Sequence, residues 1–265
     1  MLPLSMTLAF ERQGSGPPLV LIHGLGHRRQ GWNAVLDLLT PYREVITLDL
    51  PGHGESPPLR LSTDNPVEEV AGQIASQLDE LDLPRPHVGG NSLGGVLALA
   101  LAATGHAASV TALSPAGFPG HRYEMPYAHA VFTVARAGAQ AMEPVVKSLA
   151  GSTAGRTLLY GQMVSRPRLV PPEQVPGDIA SFARAGAAMR AFFAGPQDFT
   201  EPVDVPVTIA WGSKDRILRP SNAVVAKQRL PNARFIKLTG CGHVPMTDDP
   251  KAVARILLDG SSTGS

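Results

Sequence analysis

Short runs of β-branched and aliphatic residues alternate along this chain with stretches whose apolar positions recur every three or four residues. Leu19-Val20-Leu21-Ile22, bounded by Pro17-Pro18 and His23-Gly24, has the continuous apolar make-up of a strand buried on both faces. Trp32, Val35, Leu36 and Leu39 then form one stripe of a helix. Val45 to Leu48 reads as a second strand, ending at Asp49 and the turn Pro51-Gly52-His53-Gly54. Asn65-Pro66 starts a helix: an amide cap, a proline at the first helical position, and Glu68 and Glu69 in the first turn. Val67, Val70, Ala71, Ile74, Leu78 and Leu81 carry the helical period onward. His87 to Gly90 is a brief strand, Leu93 to Ala103 an apolar helix, and Val110 to Leu113 a further strand. Crossovers of this length predict an α/β domain, its mostly parallel sheet covered by helices on both faces.

From about Phe118 to Thr200 the rhythm changes. The stretch is rich in Ala, Gly and Arg, patterns as helix, and holds six of the eight Phe and three of the four Tyr. Ile179, Phe182, Ala183, Gly186, Met189 and Phe193 fall on one predicted helical face. Alternation then resumes with strands at Val207–Trp211 and Arg234–Leu238, a helix over Pro220–Arg229, and a last helix from Asp249-Pro250. The expected organisation is a core domain in two parts, residues 1–117 and 201–260, interrupted by a helical insertion at 118–200. A Ser/Gly-rich disordered tail is expected over 261–265.

Composition acts mainly by exclusion. With 43% hydrophobic and 17% charged residues, the 265-residue chain is too apolar for a disordered one. Lys plus Arg number 23 against 22 Asp plus Glu, with no basic run longer than Arg28-Arg29, so nucleic acid is not an expected partner. The single cysteine, Cys241, excludes an internal disulfide framework and a Cys-rich zinc site. The first residues lack the pattern of a secretory signal, and the longest apolar run, Val96 to Ala103, is eight residues against the ~18 or more of a membrane span. A cytoplasmic protein with no membrane span is the expectation; a homodimer is left open.

The chemistry concentrates at Gly90-Asn91-Ser92-Leu93-Gly94, a G-x-S-x-G between a predicted strand and a predicted helix. A serine there sits on a sharp turn that exposes its hydroxyl, and the flanking glycines keep side chains away from the strained backbone. The helix that follows points its positive end at a developing oxyanion. Such a nucleophile needs an acid and then a histidine downstream. Asp215, in Trp211-Gly212-Ser213-Lys214-Asp215, and His243, in Gly240-Cys241-Gly242-His243, each follow a predicted strand, where catalytic residues of open α/β sheets collect. Asp204 stands nearer the start of its strand and competes poorly; His106, His121 and His129 sit in helix ends or the insertion. Backbone N–H groups of Leu93 and of Leu25, in the loop His23-Gly24-Leu25-Gly26, are the expected oxyanion donors.

Together these segments, with Asp49-Leu-Pro-Gly52-His53-Gly54-Glu-Ser56, resemble the α/β-hydrolase fold superfamily. The resemblance implies an eight-stranded-type sheet, a triad of Ser92, Asp215 and His243, and a lid at the 118–200 insertion. Ser92 disfavours the superfamily's dehalogenases and epoxide hydrolases, which use an aspartate nucleophile. Val244-Pro245-Met246 after His243 departs from the tryptophan usual in its carbon–carbon hydrolases, and His23-Gly24-Leu25-Gly26 fits the His-Gly-Gly-Gly lipases poorly. What this leaves is a serine esterase or lipase-like hydrolase of a small apolar ester. Hydrolysis of a vinylogous diketone and a ligand sensor on the same scaffold are the alternatives. Trp32, Arg190, Phe192 and Phe193 are the candidate substrate contacts.

Other motifs fail on inspection. Gly26 and Gly31 have P-loop spacing, but Trp32-Asn33 follows where Lys and Ser/Thr are required, and no G-x-G-x-x-G occurs. No nucleotide or other cofactor is therefore expected. His23 and His27 lie on a glycine loop with no third ligand nearby, so no metal is expected either. Cys241 reads as a small packed thiol, and Asp49 and His53 as stabilisers of loops near the site.

Overall fold

A computed structural model describes residues 7–262. Among these, seven strands form one sheet in the order β1-β3-β2-β4-β5-β6-β7. They are β1 (Phe10–Gly14), β2 (Pro18–Ile22), β3 (Glu44–Leu48), β4 (His87–Asn91), β5 (Ser109–Leu113), β6 (Val207–Gly212) and β7 (Arg234–Leu238). All neighbours are parallel except β1 with β3. The class is as expected, with one strand fewer among the described residues than an eight-stranded-type sheet. β1 has no counterpart in the hydrophobic pattern, because Glu11, Arg12 and Gln13 give no apolar alternation. It is an edge strand with three exposed residues, held by its ladder to β3.

Eleven α-helices lie within the described residues. α1 (Asn33–Leu39), α2 (Pro66–Glu80) and α3 (Leu93–Ala103) follow β2, β3 and β4. Between β5 and β6 come α4 (Glu124–Met142), α5 (Val146–Ala150), α6 (Thr153–Tyr160), α7 (Val175–Arg184) and α8 (Gly186–Ala194). α9 (Asn222–Arg229), α10 (Pro245–Asp248) and α11 (Pro250–Gly260) complete the chain. The single face expected from Ile179 to Phe193 is divided, because the helix breaks at Ala185 between α7 and α8. Of the expected disordered tail, Ser261 is buried and its hydroxyl accepts from Arg43 at 3.0 Å; residues 263–265 lie outside the described residues.

Period-two alternation splits β2 between two cores. Val20 and Ile22 pack with α2 and α3 residues such as Ile74, Leu78 and Leu97. Leu19 and Leu21 face the other way, against Trp32, Val35 and Leu39 and the α11 residues Val253 and Leu257. With both faces covered, the carboxyl ends of the parallel strands are the remaining open edge. The β2, β4, β6 and β7 ends carry the loops of Leu25, Ser92, Asp215 and His243.

The contact of α3 with the sheet is close enough to exclude side chains. A Cβ at Gly94 would overlap the carbonyl of Ile22, and one at Gly90 the carbonyl of Gly94. On α2, by contrast, a Cβ at Gly72 would meet no atom within 4 Å. Gly94→Ala is therefore expected to lower the urea unfolding free energy by about 1–3 kcal/mol, while Gly72→Ala raises it by about 0.5–1 kcal/mol through helix propensity.

Candidate functional site

The turn between β4 and α3 places Ser92 at φ 56° and ψ −116°, left-handed backbone for a residue that has a Cβ. Conformations of this kind cost about 1–3 kcal/mol and persist only where neighbours over-determine them. Here the Ser92 N–H donates to the Leu113 carbonyl at 3.0 Å, and its own carbonyl accepts from Gly95 and Ala116, both at 3.0 Å. The hydroxyl caps no backbone group of α3 and is free for other chemistry.

His243 follows β7 and is buried. Its Nδ1 lies 2.8 Å from Oδ2 of the equally buried Asp215. The carboxylate accepts, so the neutral ring carries its proton on Nδ1 and its lone pair on Nε2. Nε2 is buried with no hydrogen-bond partner among the described residues, so it is not bonded to Ser92 as the two stand. The second Asp215 oxygen accepts from the N–H groups of Ile217 and Leu218, each at 2.9 Å, which fixes the carboxylate plane.

Two contacts bring the His243 loop to Ser92, and neither was visible in the sequence pattern. Asn91, directly before Ser92, donates through Nδ2 to the His243 carbonyl at 2.9 Å and to the Leu113 carbonyl at 3.0 Å. Asp248, buried in α10, accepts from the N–H groups of Gly242 (2.7 Å), Ser165 (3.0 Å) and Arg166 (2.7 Å). A short polar side chain beside a nucleophile and an aspartate five residues past a histidine were the available signals. Cys241 is buried, with its thiol pushed up to about 11, first by burial and then by Asp248 and Asp249, which suits a packed rather than a reactive thiol.

The Leu25 loop faces the same turn, since a Cβ at Gly24 would lie 3.2 Å from Ser92 Cβ. Among the described residues the N–H groups of Leu25 and Leu93 donate to no protein group. Neighbouring bonds hold the loop. His53 Nε2 accepts from the Gly26 N–H at 2.9 Å, and His23 Nε2 from the Leu50 N–H at 3.0 Å. Both bonds need neutral imidazoles. Burial lowers the His53 pKa to about 4, and burial with the neighbouring His53 holds His23 well below its ordinary value. Asp49 accepts from the Arg29 N–H at 2.6 Å and pairs with the Arg29 guanidinium, which also meets Glu11 and Glu55.

A cleft of about 1330 Å³ opens on Ser92, Leu25 and Leu93. Phe192 and Phe193 line it. Trp32 does not: it is wholly buried on the opposite face of the sheet, among Leu19, Leu21 and Val35. Arg190 is exposed and absent from the lining: helical spacing sets it on one face with Ile179, Ala183 and Gly186, and the break at Ala185 ends that continuous face. Among the described residues no three His, Cys, Asp or Glu side chains converge on a metal-sized site, and no helix is long and apolar enough to cross a membrane.

Comparison with known proteins gives the family and the fold. A model of the alpha/beta hydrolase family matches residues 19–256. The chain is 30% identical over 254 residues to a dihydrolipoyllysine-residue acetyltransferase component of the acetoin cleaving system of Pseudomonas putida, covering 94% of this chain. It spans 65% of that relative's length. It is 27% identical to lipase 3 of a Moraxella species, over 94% of this chain and 78% of the relative. A solved esterase of Thermogutta terrifontis superposes with a TM-score of 0.75 at 23% identity, over 98% of this chain and 94% of that one, a likeness of fold.

The histidine pocket makes stability depend on pH with a definite sign. An unfolded imidazole titrates near 6.5, so between about 6.5 and 4 the unfolded chain binds protons that His53 refuses when folded, and stability falls as the pH falls. In urea unfolding at pH 7 and pH 4, His53→Gln, which keeps an acceptor, is expected to reduce that acid loss by up to about 3 kcal/mol.

Proposed function

The chain belongs to the alpha/beta hydrolase family, and from that premise we propose that it is a serine hydrolase of apolar carboxylic esters, acting through an acyl-enzyme on Ser92. The observation that carries this reading is the strained Ser92 turn, with the hydrogen-bonded His243–Asp215 pair tied to it through Asn91. His243 Nε2 takes the Ser92 proton as Oγ attacks the ester carbonyl carbon. Asp215 holds the ring tautomer and stabilises the imidazolium. The N–H groups of Leu25 and Leu93 receive the oxyanion. The tetrahedral intermediate collapses, the C–O bond to the alcohol breaks, and His243 protonates the leaving oxygen. Water, deprotonated by the same nitrogen, then attacks the acyl carbon and releases the acid and free Ser92.

The Ser92–His243 hydrogen bond of this scheme forms when substrate arrives, since unliganded sites often hold such bonds long or unmade. The helices between residues 118 and 200 act as the lid: Met125, Ala128, Phe132, Phe192 and Phe193 line the cleft above Ser92 and keep water from the acyl-enzyme. Kinship with a lipase supports ester chemistry. Catalytic residues on four strand ends are also the arrangement that the family's chemistry needs.

Ser92→Ala and Asp215→Asn are each expected to lower kcat/KM for a p-nitrophenyl ester on the order of 10⁴-fold, with unchanged circular dichroism. Full turnover by folded Ser92→Ala contradicts the reading. Negligible steady-state product from the wild type points instead to a sensor, and cleavage of a vinylogous diketone in preference to the ester points to carbon–carbon hydrolysis.

A further inference from the structure

The cleft is larger and more directional than a small ester requires. Pockets for drug-sized molecules hold about 300–1,000 Å³, and this one holds about 1330 Å³. From Ser92 and Leu93 it follows one face of α3, through Val96, Ala100 and Ala103, to Thr104. Beside it lies α2, packed against α3, whose lining residues include Ala71, Gly72 and Ala75. At about 1.5 Å per residue, Leu93 to Thr104 spans about 16 Å, room for an extended chain of about a dozen carbons.

Close packing of α2 on α3 explains alanines at their contact, but not Gly72. A Cβ there meets nothing within 4 Å, so the glycine makes room for no neighbouring helix and borders the open cleft instead. The wall formed by α3 is small and apolar through Val96, Ala100 and Ala103; α2 contributes Ala71, Gly72 and Ala75 together with polar Gln73, Ser76 and Gln77, and Glu80, Thr104 and His106 stand at the end remote from Ser92. Phe199 and Gln197 close the third side; Gly195 and Gly117 hold that segment against Pro66 and Phe199. The occupant suited to such a channel is linear, apolar and anchored at one end. Ser92 supplies the anchor, a serine nine-tenths buried at the channel's inner end.

We propose that this channel is the acyl-chain site, and that the protein acts on esters of linear fatty acids of about ten to twelve carbons. The proposal rests on the ester-hydrolase reading. It assigns the channel to the acyl arm because Ser92 and Leu93 line it and His243 does not. The acyl carbon is bonded to Ser92, whereas the alcohol must leave on the side from which His243 protonates it.

The test is kcat/KM across p-nitrophenyl butyrate, octanoate, decanoate and laurate, for the wild type and for Gly72→Phe, Ala103→Phe and Gly138→Phe. Gly138 lies on α4, away from the channel lining, where an added Cβ also meets nothing within 4 Å. The wild type is expected to prefer decanoate to butyrate at least tenfold. Gly72→Phe and Ala103→Phe should each lower the decanoate-to-butyrate ratio at least tenfold, and Gly138→Phe should leave it within twofold. A wild type that cleaves butyrate but not decanoate overturns the channel and leaves the hydrolase reading standing. An unchanged ratio in both folded channel variants, or an equal fall in Gly138→Phe, does the same. Preference that tracks the alcohol in an alkyl acetate series, and not the acid, overturns the assignment to the acyl arm. Failure to turn over any ester, with no phosphonate label on Ser92, removes the underlying reading itself.

Discussion

The arrangement depends on one steric constraint: β4 must turn into α3 within a single residue. The turn is sharp enough that side chains at Gly90 and Gly94 would collide with backbone carbonyls, and it forces Ser92 into left-handed backbone. The strain is held by hydrogen bonds to β5 and the turn that follows it, and by a helix whose core-facing side is apolar along its length. In return, the serine hydroxyl is presented at the sheet edge, beside the first free N–H of the helix. Relaxing that turn would remove the proposed nucleophile and one proposed oxyanion donor together.

Everything else near the site is held against this turn by buried polar contacts. Asn91 ties the His243 loop to the strand carrying Ser92, and Asp248 gathers three N–H groups behind that loop. On the other side, neutral His23 and His53 and the Asp49–Arg29 pair hold the Leu25 loop. α7 clamps the same loop from above: Arg28 Nε donates to Asp178 at 2.7 Å, and the Ser181 hydroxyl donates to the His27 carbonyl at 2.9 Å.

Much of this was legible in the residues. Six parallel strands announced themselves as short runs of β-branched and aliphatic residues between turn signals, and the Ser92, Asp215 and His243 loops followed from their places after those strands. β1 was not legible, because Glu11, Arg12 and Gln13 give no apolar alternation and the strand is held by its ladder to β3. The pocket was read least well. Trp32 is an apolar helix residue whose direction depends on which face of the sheet α1 covers, and Arg190 was misplaced by a helix break at Ala185 that only Gly186 marks. The channel along α3 and the neighbouring α2 is formed by what is absent at Gly72 and the alanines, and absent side chains leave no periodic signal.

The most direct measurement is a crystal structure of the protein inactivated with an alkyl phosphonate, a stable mimic of the tetrahedral acyl intermediate. The account predicts phosphorus bonded to Ser92 Oγ, one phosphonyl oxygen within hydrogen-bonding distance of both the Leu25 and Leu93 nitrogens, and His243 Nε2 turned to the Ser92 or leaving-group oxygen. Phosphorus on another residue, or a phosphonyl oxygen facing solvent with both N–H groups unused, would contradict it.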